Sequence, residues 1–173
     1  MGAGQGRCGA ARAAVAPDDC PAAEESQALT AERVERIRSS FAVVAPRVAE
    51  LMETFNTLLF ERYPQVRPLF PPDMTGQKQH LTAAVALVVK HADNLAALEP
   101  ALMEMGARHV RYGARPEHYP LVGATMLDAL ESVAGPVWNA TLRDDWDWAL
   151  NAVASAMVKG AEAAEGVGRR KAA

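Results

Sequence analysis

The stretch Pro100-Ala101-Leu102-Met103-Glu104-Met105-Gly106-Ala107-Arg108-His109-Val110-Arg111-Tyr112-Gly113 decides the fold of this 173-residue chain. A proline opens it and a glycine stops it, the usual punctuation of a short helix. Within it Leu102, Met105, Gly106 and His109 fall at i, i+3, i+4 and i+7, which places all four on one helix face. The spacing therefore predicts a histidine turned towards the apolar core. A buried imidazole without a partner is costly. Two partners answer that cost: a backbone carbonyl, or an iron.

The same period extends outward on both sides. On the N-terminal side, Val34, Ile37, Phe41 and Val44 mark a first helix with Thr30 as N-cap and Pro46 as its end. Val48, Leu51, Met52, Phe55, Leu58 and Leu59 mark a second, closed by Tyr63-Pro64. A short turn follows to Phe70-Pro71-Pro72. A third helix carries Gln77, Leu81, Ala84, Val85 and Val88 and breaks at Asp93-Asn94. On the C-terminal side, Tyr119, Val122, Met126, Leu127, Leu130 and Val133 form a stripe stopped by Gly135-Pro136. Trp146, Leu150, Val153 and Met157 form the last, from Thr141 to Ala163. No segment alternates as a strand would. The expected architecture is all-α, with six to seven helices.

Composition narrows the class. Half of the residues are apolar and the net charge is -3, so no basic surface invites a nucleic acid. No apolar run reaches membrane-span length, and no secretory signal opens the chain. Met1-Gly2 begins like a myristoylation site, but Gly6 stands where Ser or Thr is needed. A cytoplasmic protein without nucleic-acid or membrane partners is expected. Residues 1–28, rich in Ala and Gly, read as a disordered extension holding both cysteines, Cys8 and Cys20. Residues 29–163 read as the folded domain, and 164–173 as a solvated basic tail.

Several strings then come in a telling order. Leu59-Phe60, Pro64 and Leu69-Phe70 are followed by Gln77 with Leu81. Next are Gly106-Ala107-Arg108-His109 and Tyr112-Gly113, and last Glu117-His118-Tyr119-Pro120-Leu121-Val122-Gly123. Together they resemble the globin family, specifically single-domain bacterial haemoglobins and the haem domains of flavohaemoglobins, over Leu29 to Ala163. The resemblance implies a globin fold packed around haem b, with His109 as the proximal iron ligand. It places Gln77 on the distal side, Leu81 one turn later, Phe70 on the haem face and Asn56 looking into the distal pocket. Tyr119 falls near the proximal side, and Val122 is a further haem-pocket residue. Relatives usually carry Tyr, Phe or Leu where this chain has Asn56. His80 is expected at the haem edge, with distal ligation as the alternative. His91 and His118 read as surface residues. Phe55, Leu102, Met105, Val122 and Met126 read as core that also lines the pocket.

The implied function is reversible binding of dioxygen, NO and CO, with the Gln77 and Asn56 amides donating hydrogen bonds to bound oxygen. No residue is assigned a catalytic role. The alternatives are a haem redox enzyme (NO dioxygenase, peroxidase or nitrite reductase), a haem-based gas or redox sensor, and a haem-free globin-fold module. In flavohaemoglobins a last-helix glutamate pairs with the tyrosine matched by Tyr119. Here Ala161 stands at that place, with Glu162 next to it, so this activating network is expected to be missing. The sequence holds no glycine-rich nucleotide fingerprint, so turnover would draw on an external reductase.

Overall fold

A computed structural model describes the backbone of residues 21–171 and the side chains of residues 30–166. Among the described residues the chain forms six α-helices joined by short turns: α1 Pro21–Val44, α2 Val48–Arg62, α3 Thr75–Lys90, α4 Glu99–Arg111, α5 His118–Ala134 and α6 Ala140–Lys171. Single-turn 3-10 segments at Ala45–Arg47, Pro64–Leu69, Leu95–Leu98 and Gly135–Val137 link them. The all-α expectation holds, and no described helix is long and apolar enough to cross a membrane.

Local chemistry sets the boundaries. Asp73 accepts the Thr75 backbone N–H at 2.9 Å and so starts α3. Asn139 does the same for Leu142 at 3.0 Å and starts α6. Gly113, at φ +82°, turns the chain out of α4 in a conformation that side chains with a Cβ rarely adopt.

Two boundaries differ from expectation. Helix α1 begins at Pro21, so Thr30 lies inside it and not at its N-cap, and residues 21–28 are not an irregular extension. Pro21-Ala22-Ala23-Glu24-Glu25-Ser26-Gln27-Ala28 lacks an apolar stripe, but it is rich in good helix formers. Propagating an anchored helix adds one hydrogen bond per residue fixed. For the same reason α6 runs past Ala163 to Lys171, through the expected basic tail. Residues 1–20, with Cys8 and Cys20, lie outside the described residues.

The core is divided. The larger part gathers Val34, Ile37 and Val44 of α1, Leu51, Met52, Phe55 and Leu59 of α2, and Val85, Val88 and Val89 of α3. Met126, Leu130 and Val133 of α5 join it, with Leu142, Trp146 and Ala149 of α6. Fully burying aliphatic and aromatic side chains such as Ile37, Leu51 and Phe55 contributes about 1.5–3 kcal/mol each. The smaller part is Leu98, Leu102, Ala156 and Met157, with Met105 and Tyr119 packed on it. Leu95 and Val153 touch both parts.

Two contacts made by α6 fix the arrangement. Near its start, Asp145 is 2% exposed and accepts Nε of Arg33 at 3.0 Å and Nε of Arg36 at 2.5 Å. Beside it Trp146 donates Nε1–H to Ser40 at 3.0 Å. Near its far end the backbones of α4 and α6 touch. A Cβ on Gly106 would lie 1.9 Å from the Met157 carbonyl oxygen, and one on Gly160 would lie 1.9 Å from that of Met103. Only glycine at both positions permits this approach.

Candidate functional site

His109 sits in the last turn of α4, which is held to the smaller core by Leu102 and Met105. Its ring is half-buried, not enclosed as the apolar stripe suggested. The Nδ1 atom lies 2.8 Å from the Met105 carbonyl oxygen, one turn back on the same helix. A carbonyl oxygen can only accept, so Nδ1 carries the proton. In the neutral ring that leaves Nε2 with a free lone pair. The carbonyl and metal partners considered from sequence are therefore compatible, since each takes a different nitrogen.

Of the residues expected around the pocket, Phe70, Leu81 and Val122 pack on the larger part of the core. The Phe70 ring is held edge-on by Phe60, with centroids 5.2 Å apart. Gln77 is half-buried near the start of α3. An ion pair between Glu53 and Lys78 pins this turn of α3 against α2, one turn from Asn56. His80 is exposed, as is its neighbour Gln79 on α3. Tyr119 packs on the smaller part, on the side of His109.

Three buried side-chain atoms here lack a hydrogen-bond partner: Asn56 Oδ1, Gln77 Oε1 and the Tyr119 hydroxyl. Such orphans are uncommon in folded proteins and ask for an explanation. On α6, Ala161 is 3% exposed and Glu162 is exposed. Burial also pushes the Tyr119 hydroxyl pKa upward, so it stays a neutral donor without an acceptor.

Asn56 is anchored within its own helix. It is 6% exposed, and its Nδ2 donates to the Met52 carbonyl at 2.9 Å. One of its two amide hydrogens is engaged on its own helix, and the acceptor Oδ1 has no partner. Sequence reasoning made Asn56 and Gln77 a pair of donors. It missed that an asparagine inside a helix can satisfy its amide on the carbonyl four residues back. It also missed Asp145, which organises the α1–α6 contact. The signal was there: Asp145 falls three residues after Leu142 and four before Ala149, within the buried stripe.

Comparison with known proteins places these features in context. The family model described as Globin matches residues 53–157. The Flavohemoprotein of Bacillus cereus is 31% identical over 138 residues, which cover 75% of this chain and 33% of that protein. An uncharacterized globin-like protein of Aquifex aeolicus is 32% identical over 108 residues, 62% of this chain and 78% of that one. This chain therefore spans about a third of the flavohemoprotein relative. Among solved structures, a bacterial globin of Campylobacter jejuni superposes with a TM-score of 0.67 at 24% identity, over 76% of this chain and 95% of that one. An engineered carbene transferase of Rhodothermus marinus, whose parent is described as a nitric oxide dioxygenase, superposes with a TM-score of 0.70. It is 30% identical over 78% of this chain and 94% of that one.

Proposed function

The chain belongs to the globin family, and on that premise we propose that it holds haem b through His109 and binds dioxygen, NO and CO reversibly at the opposite face. The observation that carries this reading is the His109 hydrogen bond, which fixes the tautomer with Nε2 free. Metal-ligating histidines usually donate their other nitrogen to a carbonyl or carboxylate in this way.

The surroundings fit the group. Among the described residues no cluster of three or more His, Cys, Asp or Glu could hold a bare ion. A lone imidazole suits a metal that brings its own equatorial ligands. The split in the core suits a flat, apolar group. Haem would supply an iron that binds diatomic gases. The chain's own residues do the rest. His109 would hold it through Nε2. Phe70, Leu81 and Val122 line the apolar walls and exclude water. Gln77 brings an amide to the distal side, and a half-turn of that amide exchanges its oxygen for its nitrogen donor. Asn56 holds an acceptor nearby. His80 stays at the rim.

A second reading, turnover as an NO dioxygenase, is favoured by the description of the Rhodothermus marinus relative. It uses the same residues and needs single electrons from a donor outside this sequence.

Reconstitution tests the assignment. With excess haemin, the wild-type protein should show one Soret-absorbing haem per chain, and His109→Ala should lose most of it. Equal retention with an unchanged spectrum would place the ligand elsewhere.

A further inference from the structure

We propose that the exposed corner following α4, centred on Tyr112 and flanked by Arg108, Arg111 and Arg115, is the docking surface for a small acidic flavoprotein that delivers single electrons to the site. The inference rests on the reading of His109 as the iron ligand.

A lone exposed apolar side chain needs no explanation. Tyr112 is a different case. It is 62% exposed, yet its ring meets that of His109 at 70° with centroids 5.8 Å apart. One side chain thus spans from solvent to the imidazole. Gly113 fixes the corner through its positive φ, and a Cβ there would press on Leu69 at 3.2 Å.

Charge gives the sign of the partner. Arg108 reaches Glu104 only at 3.6 Å, and Arg115 reaches Glu117 only at 3.8 Å. Arg111 has no ion pair among the described residues. Exposed pairs of this kind are worth about 0–1 kcal/mol, so the guanidiniums can re-pair at little cost. Three arginines against two glutamates make a positive corner on a chain of net charge -3. Tyrosine and arginine dominate interface hot spots, and the guanidinium fork matches carboxylates. A protein with carboxylates ringing an exposed flavin edge meets both requirements.

The step makes and breaks no bond. One electron leaves the reduced flavin, which is oxidised by one electron, and ferric iron at His109 becomes ferrous.

The test mixes the full-length, haem-loaded ferric protein under CO with reduced flavodoxin as probe, and follows the ferrous CO band. At low salt, Arg111→Glu with Arg115→Glu should slow the bimolecular rate about tenfold or more. The wild-type rate should fall steeply with ionic strength while that of the variant does not. Arg111→Lys with Arg115→Lys should keep the wild-type behaviour. Tyr112→Ala should lower the limiting rate at saturating flavodoxin and leave the salt dependence intact. Reduction by dithionite should give the same CO spectrum in every variant. A charge-reversed protein reduced as fast as wild type, with that control normal, overturns the docking surface. An unchanged limiting rate in Tyr112→Ala overturns the role of the ring. A wild-type chain without a Soret band instead overturns the reading of His109.

Discussion

Gly106 and Gly160 clamp α4 and α6 reciprocally: each glycine faces the backbone of a methionine three residues before the other, at Met157 and Met103. Neither Met carbonyl can swing aside as a side-chain tip would. Because Gly106 lies three residues before His109, the clamp sets where the imidazole stands.

Gly160→Ala should therefore push α4 away from α6. Overpacking of this kind costs typically about 1–3 kcal/mol, a fall in Tm of roughly 2–12 °C at this chain length. Thermal unfolding of the apoprotein reads the cost. Haemin titration should show weaker retention at the same time, although residue 160 is on another helix. An unchanged Tm would mean the helices can part freely.

Asn56→Leu carries a reversed sign. A buried acceptor opposes the partial negative charge of bound dioxygen, whereas a donor favours it. Removing Oδ1 should slow oxygen release by about fivefold, equivalent to about 1 kcal/mol. It should also stabilise the apoprotein, since an unsatisfied buried acceptor costs about 1–3 kcal/mol. Gln77→Leu should do the opposite and speed release about tenfold, the worth of one hydrogen bond to a charged acceptor. CO release should barely move in either. Stopped-flow oxygen and CO dissociation decide the matter; faster oxygen release in Asn56→Leu would restore it as a donor.

Asp145→Ala should destabilise the α1–α6 contact. It would leave Arg33 and Arg36 without the buried carboxylate that both bind. Water still reaches both guanidiniums, so the loss is that of hydrogen bonds to a charged group, about 1.5–3 kcal/mol. Urea unfolding should show this as a lower midpoint with an unchanged slope.

Asp128 supplies a pH dependence. Partial burial raises its pKa, but hydrogen bonds from Arg62 and Arg143 outweigh that and leave it below the usual carboxylate value. A depressed folded-state pKa stabilises the protein above the unfolded value of about 3.9. That stability is lost as pH falls through the folded value. Asp128→Asn should therefore flatten the dependence of stability on pH below about 4 and change little between pH 4 and 7. Denaturant midpoints across that range check it; equal slopes for both proteins would reject the linkage.

The helices could be read from sequence because their causes are local: Pro100 and Gly113 bound α4, and the Leu102–His109 stripe gives its face. The candidate ligand was legible for the same reason. What a linear pattern cannot carry is pairing across the fold. Gly106 looked like one more apolar position until Gly160 stood against it. The buried position of Asp145 can be read from its spacing, but not the two arginines of α1 that close on it. Asn56 was placed on the right helix, but its free atom depends on a hydrogen bond to Met52 that no residue pattern reveals. Helix ends were misjudged where composition alone, without an apolar stripe, carries the helix, as at Pro21–Ala28.

On α6, Trp146, Val153 and Gly160 stand seven residues apart, close to whole turns of the helix, so they form one line along it. Trp146 belongs to the larger core, Val153 touches both parts, and Gly160 grips α4. Any twist of this rod about its axis is imposed on both halves together. The divided core should then melt in a single cooperative transition, with the haem-free halves unable to come apart in sequence.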